Sequence, residues 1–73
     1  MTTWNIEITD TFGGEANYCW VKRFQVTAKS ILGAVNKVAR EHGKGWRVDY
    51  SDGDFARYNL TNECVCMFVT WAD

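Results

Sequence analysis

The fold is decided by residues 18–26, YCWVKRFQV, and residues 27–42, TAKSILGAVNKVAREH, because the spacing of apolar residues changes between them. In the first stretch, alternate positions on both faces are apolar, which is typical of a strand. In the second, apolar residues recur at helical spacing, at Ile31, Leu32, Val35, Val38 and Ala39. Thr27 is the predicted cap and Gly43 the predicted left-handed stop of one amphipathic helix over residues 28–42.

Four further strands are predicted from alternating apolar and polar residues. They span residues 4–9, 46–50, 56–60 and 64–71. Because residues 18–26 are apolar on both faces, we expect this strand to be central in the sheet or covered on both sides. The element order ββαβββ predicts an α+β fold, an antiparallel β-sheet with one helix packed on one face.

Two glycine-containing segments are predicted turns. Gly13-Gly14 can adopt the positive φ values that a reversal between the first two strands needs. Between the strands before and after residue 53, a two-residue turn would place Arg57 on the face of Trp46 and Val48. We therefore predict a three-residue loop, Ser51-Asp52-Gly53, with Gly53 left-handed and forming a bulge. This loop gathers six apolar residues on one face: Trp46, Val48, Tyr50, Ala56, Tyr58 and Leu60.

A chain of 73 residues has room for one hydrophobic core, so we expect a single domain over residues 1–73 with modest stability. The alternation within the strands and the helical stripe predict which side chains form this core. They are Trp4, Ile6, Ile8, Trp20, Phe24, Leu32, Val35, Val38, Val48, Tyr58, Val65, Met67 and Val69.

Composition argues against several functional classes. The net charge of −1 lacks the basic excess that general nucleic-acid binding requires, so a nucleic-acid partner is not expected. Residues 1–10 lack the basic start and apolar run of a signal peptide, and no stretch is long enough to span a membrane. Three cysteines are an odd number for a disulfide framework. We expect a cytoplasmic protein with reduced thiols.

Catalytic and metal chemistry are not predicted. The single histidine, His42, falls near the end of the helix, where it favours the negative end of the helix dipole. Cys19, Cys64 and Cys66 lie on predicted strands in apolar company, where small buried thiols are common. A Cys-x-Cys pair with one distant cysteine does not match the spacing of a zinc site. We therefore expect no enzyme activity and no cofactor.

Two surfaces are candidates for binding a partner. Asp49, Asp52 and Asp54 form an acidic hairpin that could face a basic groove, although Asp and Gly are also what any solvated turn prefers. The second surface is the apolar face made by Cys19, Val21, Cys66 and Phe68, if their strands are neighbours. A homodimer or another partner could cover that face, or the chain's own loops could pack over it. The basic helix positions Lys29, Lys37 and Arg40 are those of an ordinary surface helix.

Residues 10–23, DTFGGEANYCWVKR, resemble a motif of short proteins encoded by bacteriophages and mobile elements, which reads approximately DTFGGEANYxWVxR. The closing segment, residues 64–71, is similar to the ends of the same proteins. Together these segments cover roughly a third of the chain.

The resemblance implies a stoichiometric inhibitor of host defence, an anti-CRISPR protein of the type I-C kind. Such a protein would bind a CRISPR effector complex and block recognition of target DNA, with carboxylates standing in for DNA phosphates as a DNA mimic. The near-neutral charge departs from strongly acidic DNA mimics. A phage protein that binds nucleic acid or another host protein is the alternative. The expected partner-binding residues are Asp49, Asp52, Asp54, Glu15, Glu63 and Phe68.

Overall fold

The alternating segments and the helical stripe form the expected elements in a computed structural model that describes residues 2–42, 45–60 and 63–72. The strands and helix are β1 (Thr2–Phe12), β2 (Glu15–Ala28), α1 (Ile31–His42), β3 (Trp46–Ser51), β4 (Phe55–Leu60) and β5 (Val65–Trp71). The predicted α+β order ββαβββ is therefore confirmed, and the helix packs on one face of an antiparallel sheet.

The five strands are arranged in the order β2-β1-β5-β4-β3, with every pair antiparallel. β5 inserts between β1 and β4, so the strand nearest the end of the chain lies in the middle of the sheet. The prediction that residues 18–26 form a central strand is wrong, because β2 is an edge strand. Cys19 of this strand is exposed, so the apolar side chains on both faces of β2 do not indicate that the strand is buried.

The helix begins three residues later than predicted because Thr27 and Ala28 pair with β1 as the end of β2. Thr27 is therefore not the cap. Ser30 takes that role, since its hydroxyl oxygen accepts the backbone N–H of Gly33 at 3.2 Å and its carbonyl accepts that of Ala34 at 3.0 Å. The predicted stop at Gly43 lies outside the described residues.

The core lies between α1 and the sheet face formed by alternate residues of β1, β5 and β4. Trp4, which donates its indole N–H to the Ala28 carbonyl at 3.2 Å, closes one end of it. The buried apolar residues are Trp4, Ile6, Ile8, Ala28, Ile31, Ala34, Val35, Val38, Ala56, Tyr58, Leu60, Cys66, Met67 and Val69.

Three predicted core residues are instead exposed: Trp20 by 42%, Leu32 by 60% and Val48 by 58%. Phe24 and Val65 are only partly buried, although they pack against the core. Leu32 lines a cleft between the helix and the β3–β4 pair, because α1 packs on β2 and β5. Val48 pairs with the buried Tyr58 and so lies on the helix side of the sheet, but α1 does not cover it. The helix therefore covers one half of the sheet better than the other.

The loop between β3 and β4 is shifted by one residue from the prediction, to residues 52–54. Gly53 has the predicted left-handed φ, 99°. The irregularity in the ladder lies within β3, since Val48 pairs with Tyr58 but Tyr50 pairs with Arg57. The extra residue turns Tyr50 away from the core, so it does not join the other five apolar residues.

Candidate functional site

The sheet face opposite the helix, which we call the open face, is partly covered by the hairpin between β1 and β2. Phe12 pairs with Glu15 across a two-residue turn whose glycines, Gly13 and Gly14, have φ values of 64° and 86°. The Gly14 carbonyl accepts a hydrogen bond from Arg57 Nη2 of β4 at 2.6 Å. Because β5 separates β1 from β4, the hairpin tip must fold back across the open face to reach Arg57.

A large irregularity in the β1–β2 ladder produces this fold-back. Thr9 pairs with Val21 and Thr11 with Ala16, so Asp10 alone faces residues 17–20. The Asp10 carboxylate accepts hydrogen bonds from the Asn17 side chain at 2.9 Å and from the Cys19 backbone N–H at 2.8 Å. The bond from Cys19 satisfies a backbone group that the interrupted ladder leaves without a partner strand.

The Thr9 side chain forms hydrogen bonds with the irregular segment of β2. Its hydroxyl accepts the Tyr18 N–H at 3.1 Å and donates to the Trp20 carbonyl at 2.9 Å. Thr9 is fully buried. A valine of the same shape would leave both backbone groups without this partner, which makes a hydroxyl necessary at this position.

Tyr18 has a backbone conformation that non-glycine residues rarely adopt. Its φ of 56° is the only positive value at a non-glycine position among the described residues. Bulky residues pay a steric penalty in this region, and such penalties are found mainly at functional sites. The conformation leaves the Tyr18 side chain 52% exposed, on the wall of a groove in the open face.

This groove, which we call the Tyr18 groove, has a volume of about 650 Å³ and lies beside the folded hairpin. Phe55 and Phe68 contribute its apolar floor, with Thr70 beside them, and Asn5, Glu7 and Arg23 contribute its polar side. An apolar floor with a few polar groups at the edge is the usual composition of a binding site.

A row of aromatic rings continues the floor of the Tyr18 groove toward β3. The Phe55 ring stacks on Phe68 with centroids 6.0 Å apart, and Tyr50 lies 6.1 Å from Phe55. The Arg57 guanidinium lies 5.7 Å from the centre of the Phe68 ring. Since Arg57 also holds the hairpin tip, it joins the floor of the groove to its wall.

Charges around the Tyr18 groove are paired. Glu7 accepts a hydrogen bond from Arg23 at 3.1 Å. Partial burial, and then the nearby Glu7 carboxylate, raise the pKa of Tyr18 above 10. Tyr18 therefore presents a neutral hydroxyl at physiological pH.

The acidic hairpin has all three carboxylates exposed, but two of them already have partners within the chain. Asp49 lies 3.6 Å from Arg57 Nε. Asp52 Oδ1 accepts the backbone N–H groups of Asp54 and Phe55, at 3.2 and 3.0 Å, and the Tyr50 hydroxyl donates to its other oxygen. Asp52 is thus a turn-forming residue of the kind that loops prefer.

The remaining predicted site residues are separated from one another. Phe68 lies in the floor of the Tyr18 groove, whereas Glu15 is exposed at the hairpin tip. Glu63 lies near Trp20 and Trp46 on the helix side of the sheet. The six residues therefore do not form one surface.

The predicted patch of Cys19, Val21, Cys66 and Phe68 does not form, because β1 lies between β2 and β5. Cys66 is completely buried and burial raises its pKa, while Cys19 and Cys64 are exposed, so the expectation of apolar surroundings holds for Cys66 alone. The sequence also allowed the chain's own loops to pack over this face. The β1–β2 hairpin, held by the bond between Arg57 and Gly14, does so and accounts for the burial of Cys66.

No three His, Cys, Asp or Glu side chains come together as a metal site within residues 2–42, 45–60 and 63–72. All three cysteines are free thiols. In the same ranges, no helix has the length and apolar character to cross a membrane.

The hydrogen bonds to Asp10 predict how the hairpin responds to acid. The Asn17 amide, followed by the Cys19 and Trp20 N–H groups, lowers the pKa of Asp10 below 3.8. A carboxyl group with a lowered pKa stabilises the fold above its ordinary pKa, and this stabilisation disappears as pH falls through the folded value. We expect the Asp10 carboxyl carbon to titrate below 3.8 by NMR, and closer to 3.8 in Asn17→Ala. An unchanged titration in Asn17→Ala would show that this bond does not hold the charge.

Sequence reasoning missed Tyr18, Glu7, Arg23 and Arg57 as site residues. The alternation of β1 correctly places Glu7 opposite the core, but an outward carboxylate is common on any half-buried strand. The signal for Tyr18 was present in the run Asp10 to Arg23, where a carboxylate, two glycines and Asn17 precede it. Those residues build the turn and the irregularity that direct Tyr18 into the groove.

Comparison of the chain with protein-family models, curated proteins and solved structures finds no match.

Proposed function

We propose that this chain is a non-catalytic binding protein that engages a protein partner through the Tyr18 groove. The observation that carries this proposal is the left-handed backbone of Tyr18. A tyrosine occupies a position where glycine would fit more easily, and half of its surface is exposed. A purely structural turn has no need of that ring, whereas tyrosine is among the residues that contribute most at protein interfaces.

The composition of the groove favours a protein surface as the ligand. Its floor is aromatic, and its flanking charges, Glu7 and Arg23, neutralise each other. Apolar side chains of a partner would cover Phe55 and Phe68, while the rim offers hydrogen-bonding groups to the partner backbone. This arrangement of an aromatic centre and a polar rim is typical of protein interfaces.

The resemblance of residues 10–23 to short phage proteins supports a CRISPR effector complex as the partner. In this proposal the chain is a phage-encoded anti-CRISPR protein acting in the host cytoplasm. It binds the effector stoichiometrically and blocks recognition of target DNA. The internal bonds of Asp49 and Asp52 favour attachment through the Tyr18 groove over DNA mimicry by the acidic hairpin.

The proposal is tested by mixing the purified chain with type I effector complexes, the type I-C complex first, and isolating complexes by size exclusion. We expect one stable complex with a fixed stoichiometry and a loss of target-DNA binding by that effector. If the chain bound none of the type I effector complexes, the anti-CRISPR function would be excluded.

Single-stranded nucleic-acid binding is the rival function. It is favoured by the aromatic row of Tyr50, Phe55 and Phe68 beside Arg57, because aromatic rings on an open sheet face can stack with bases. A gel shift with single-stranded DNA and RNA at low and high salt separates the two functions. A salt-sensitive shift would support the rival, and its absence together with effector binding would support the inhibitor.

Replacing Asp49, Asp52 and Asp54 together with asparagine is expected to leave effector binding nearly unchanged. Asparagine at position 52 can still accept the N–H groups of the turn, and Asp49 loses only an exposed ion pair with Arg57. Binding is measured at two ionic strengths, with folding checked by circular dichroism. A large loss of binding that is greater at low salt would instead assign recognition to the acidic hairpin as a DNA mimic.

A further inference from the structure

We propose that the free edge of β3 is an interface through which two copies of this chain pair, antiparallel and centred on Val48. Within the part of the chain that the structure describes, β3 pairs with β4 on one side and with no strand on the other. The backbone groups on the free side of an edge strand are available to another strand. This inference concerns the far edge of the sheet and does not depend on the Tyr18 groove.

The charge pattern of β3 identifies a second copy as the occupant. β3 reads WRVDYS from Trp46, so antiparallel pairing about Val48 places Arg47 of each copy opposite Asp49 of the other. Arg47 pairs with Asn59 in the ladder, and Asp49 contacts Arg57, so both side chains lie toward the open face. Opposite charges directly across a pair of strands stabilise it, and the symmetry provides this contact twice.

The Asp49 carboxylate can contact Arg57 of its own chain and Arg47 of the other copy at the same time. It contacts Arg57 through Oδ2 only, at 3.6 Å, and its side chain is half exposed. A carboxylate has a second oxygen with acceptor capacity, which is available for Arg47 of the other copy.

The helix side of the same edge is apolar. A cleft of about 390 Å³ between α1 and the β3–β4 pair is lined in part by Leu32, Val35, Ala39, Trp46 and Tyr58. Leu32 in this lining is 60% exposed, and Val48, which pairs with Tyr58 and so lies on the same side of the sheet, is 58% exposed. A two-fold axis perpendicular to the sheet keeps both helices on one side, so the Val48 side chains of the two copies would meet over the seam on that side. Pairing would thus cover the strand edge and the exposed Val48 together.

The first experiment is sedimentation equilibrium of the whole chain from micromolar to millimolar concentration. We expect a monomer–dimer equilibrium. The irregularity at Asp49 is also a feature by which edge strands resist pairing. A chain that stays monomeric to millimolar concentration would overturn the proposal and assign that protective role to Asp49.

The second experiment uses charge reversal to test the register. In Arg47→Glu and in Asp49→Lys, like charges face each other twice in the homodimer, which should raise the dissociation constant roughly tenfold or more. Mixing the two variants restores opposite charges at both contacts. We therefore expect a heterodimer in the mixture, at concentrations where each variant alone is monomeric.

Lys29→Glu is the matched control for Arg47→Glu, because it makes the same change of net charge at an exposed position outside β3. Circular dichroism shows whether each variant is folded. Dimerisation unaffected by Arg47→Glu, or a mixture that remains monomeric although both variants are folded, would show that the copies do not pair in this register.

Discussion

Tyr18→Gly should weaken binding to the effector roughly thirtyfold or more, while leaving the domain as stable as before or more stable. Glycine adopts the φ of 56° without the steric penalty that tyrosine pays, so the backbone of the irregularity is retained or relieved. The bond from the residue-18 N–H to the Thr9 hydroxyl involves only the backbone and persists. The lost ring removes the wall of the groove, and a tyrosine at the centre of an interface contributes about 2 kcal/mol or more.

The measurement combines a binding titration with urea unfolding. Tyr18→Phe is the matched control, because it keeps the ring and removes only the hydroxyl group, whose pKa the nearby Glu7 raises. It should bind far better than Tyr18→Gly. Normal effector binding by a folded Tyr18→Gly protein would exclude the Tyr18 groove as the site, and a marked loss of stability would show that the ring has a structural role.

Met67→Ala should come close to unfolding the protein. Met67 lies in the central strand β5, between Ile8 of β1 and Tyr58 of β4, and is completely buried. Truncating a buried methionine to alanine costs about 2–5 kcal/mol. A domain of this size has a total stability on the order of 5 kcal/mol.

Thermal and urea unfolding followed by tryptophan fluorescence would measure the loss. Met67→Leu, which nearly conserves the volume, is the control and should cost less than about 1.5 kcal/mol. If Met67→Ala unfolded at the same urea concentration as the unchanged protein, the placement of β5 at the centre of the core would be wrong.

The elements were predictable because their patterns are local. Alternation located all five strands within a few residues, and helical spacing located α1. The helix start was misplaced because both Thr27 and Ser30 can cap, and the decision depends on pairing of Thr27 with Thr3 on β1. Strand order was not predictable for a similar reason, since the position of β5 depends on contacts between distant parts of the chain.

The site was harder to predict than the fold because it is built by exceptions to the regular patterns. Tyr18 reaches the groove through an irregular ladder, and the bulge at Asp49 turns Tyr50 to the open face. An odd number of extra residues, three in β2 and one in β3, reverses which face the side chains beyond the irregularity occupy. The acidic hairpin was conspicuous in sequence because turns favour aspartate, which the bonds of Asp52 explain.

The pairing of β1 with β5 also affects how the protein folds during synthesis. The hairpin of β1 and β2 can form early, but Ile6 and Ile8 acquire their partners Val69 and Met67 only after some sixty further residues have emerged from the ribosome. Contacts between residues so far apart in sequence slow folding, because a long loop must close before they form. Until then the edge of β1 that pairs with β5 has no partner strand, and an unpaired strand edge makes a nascent chain prone to aggregation.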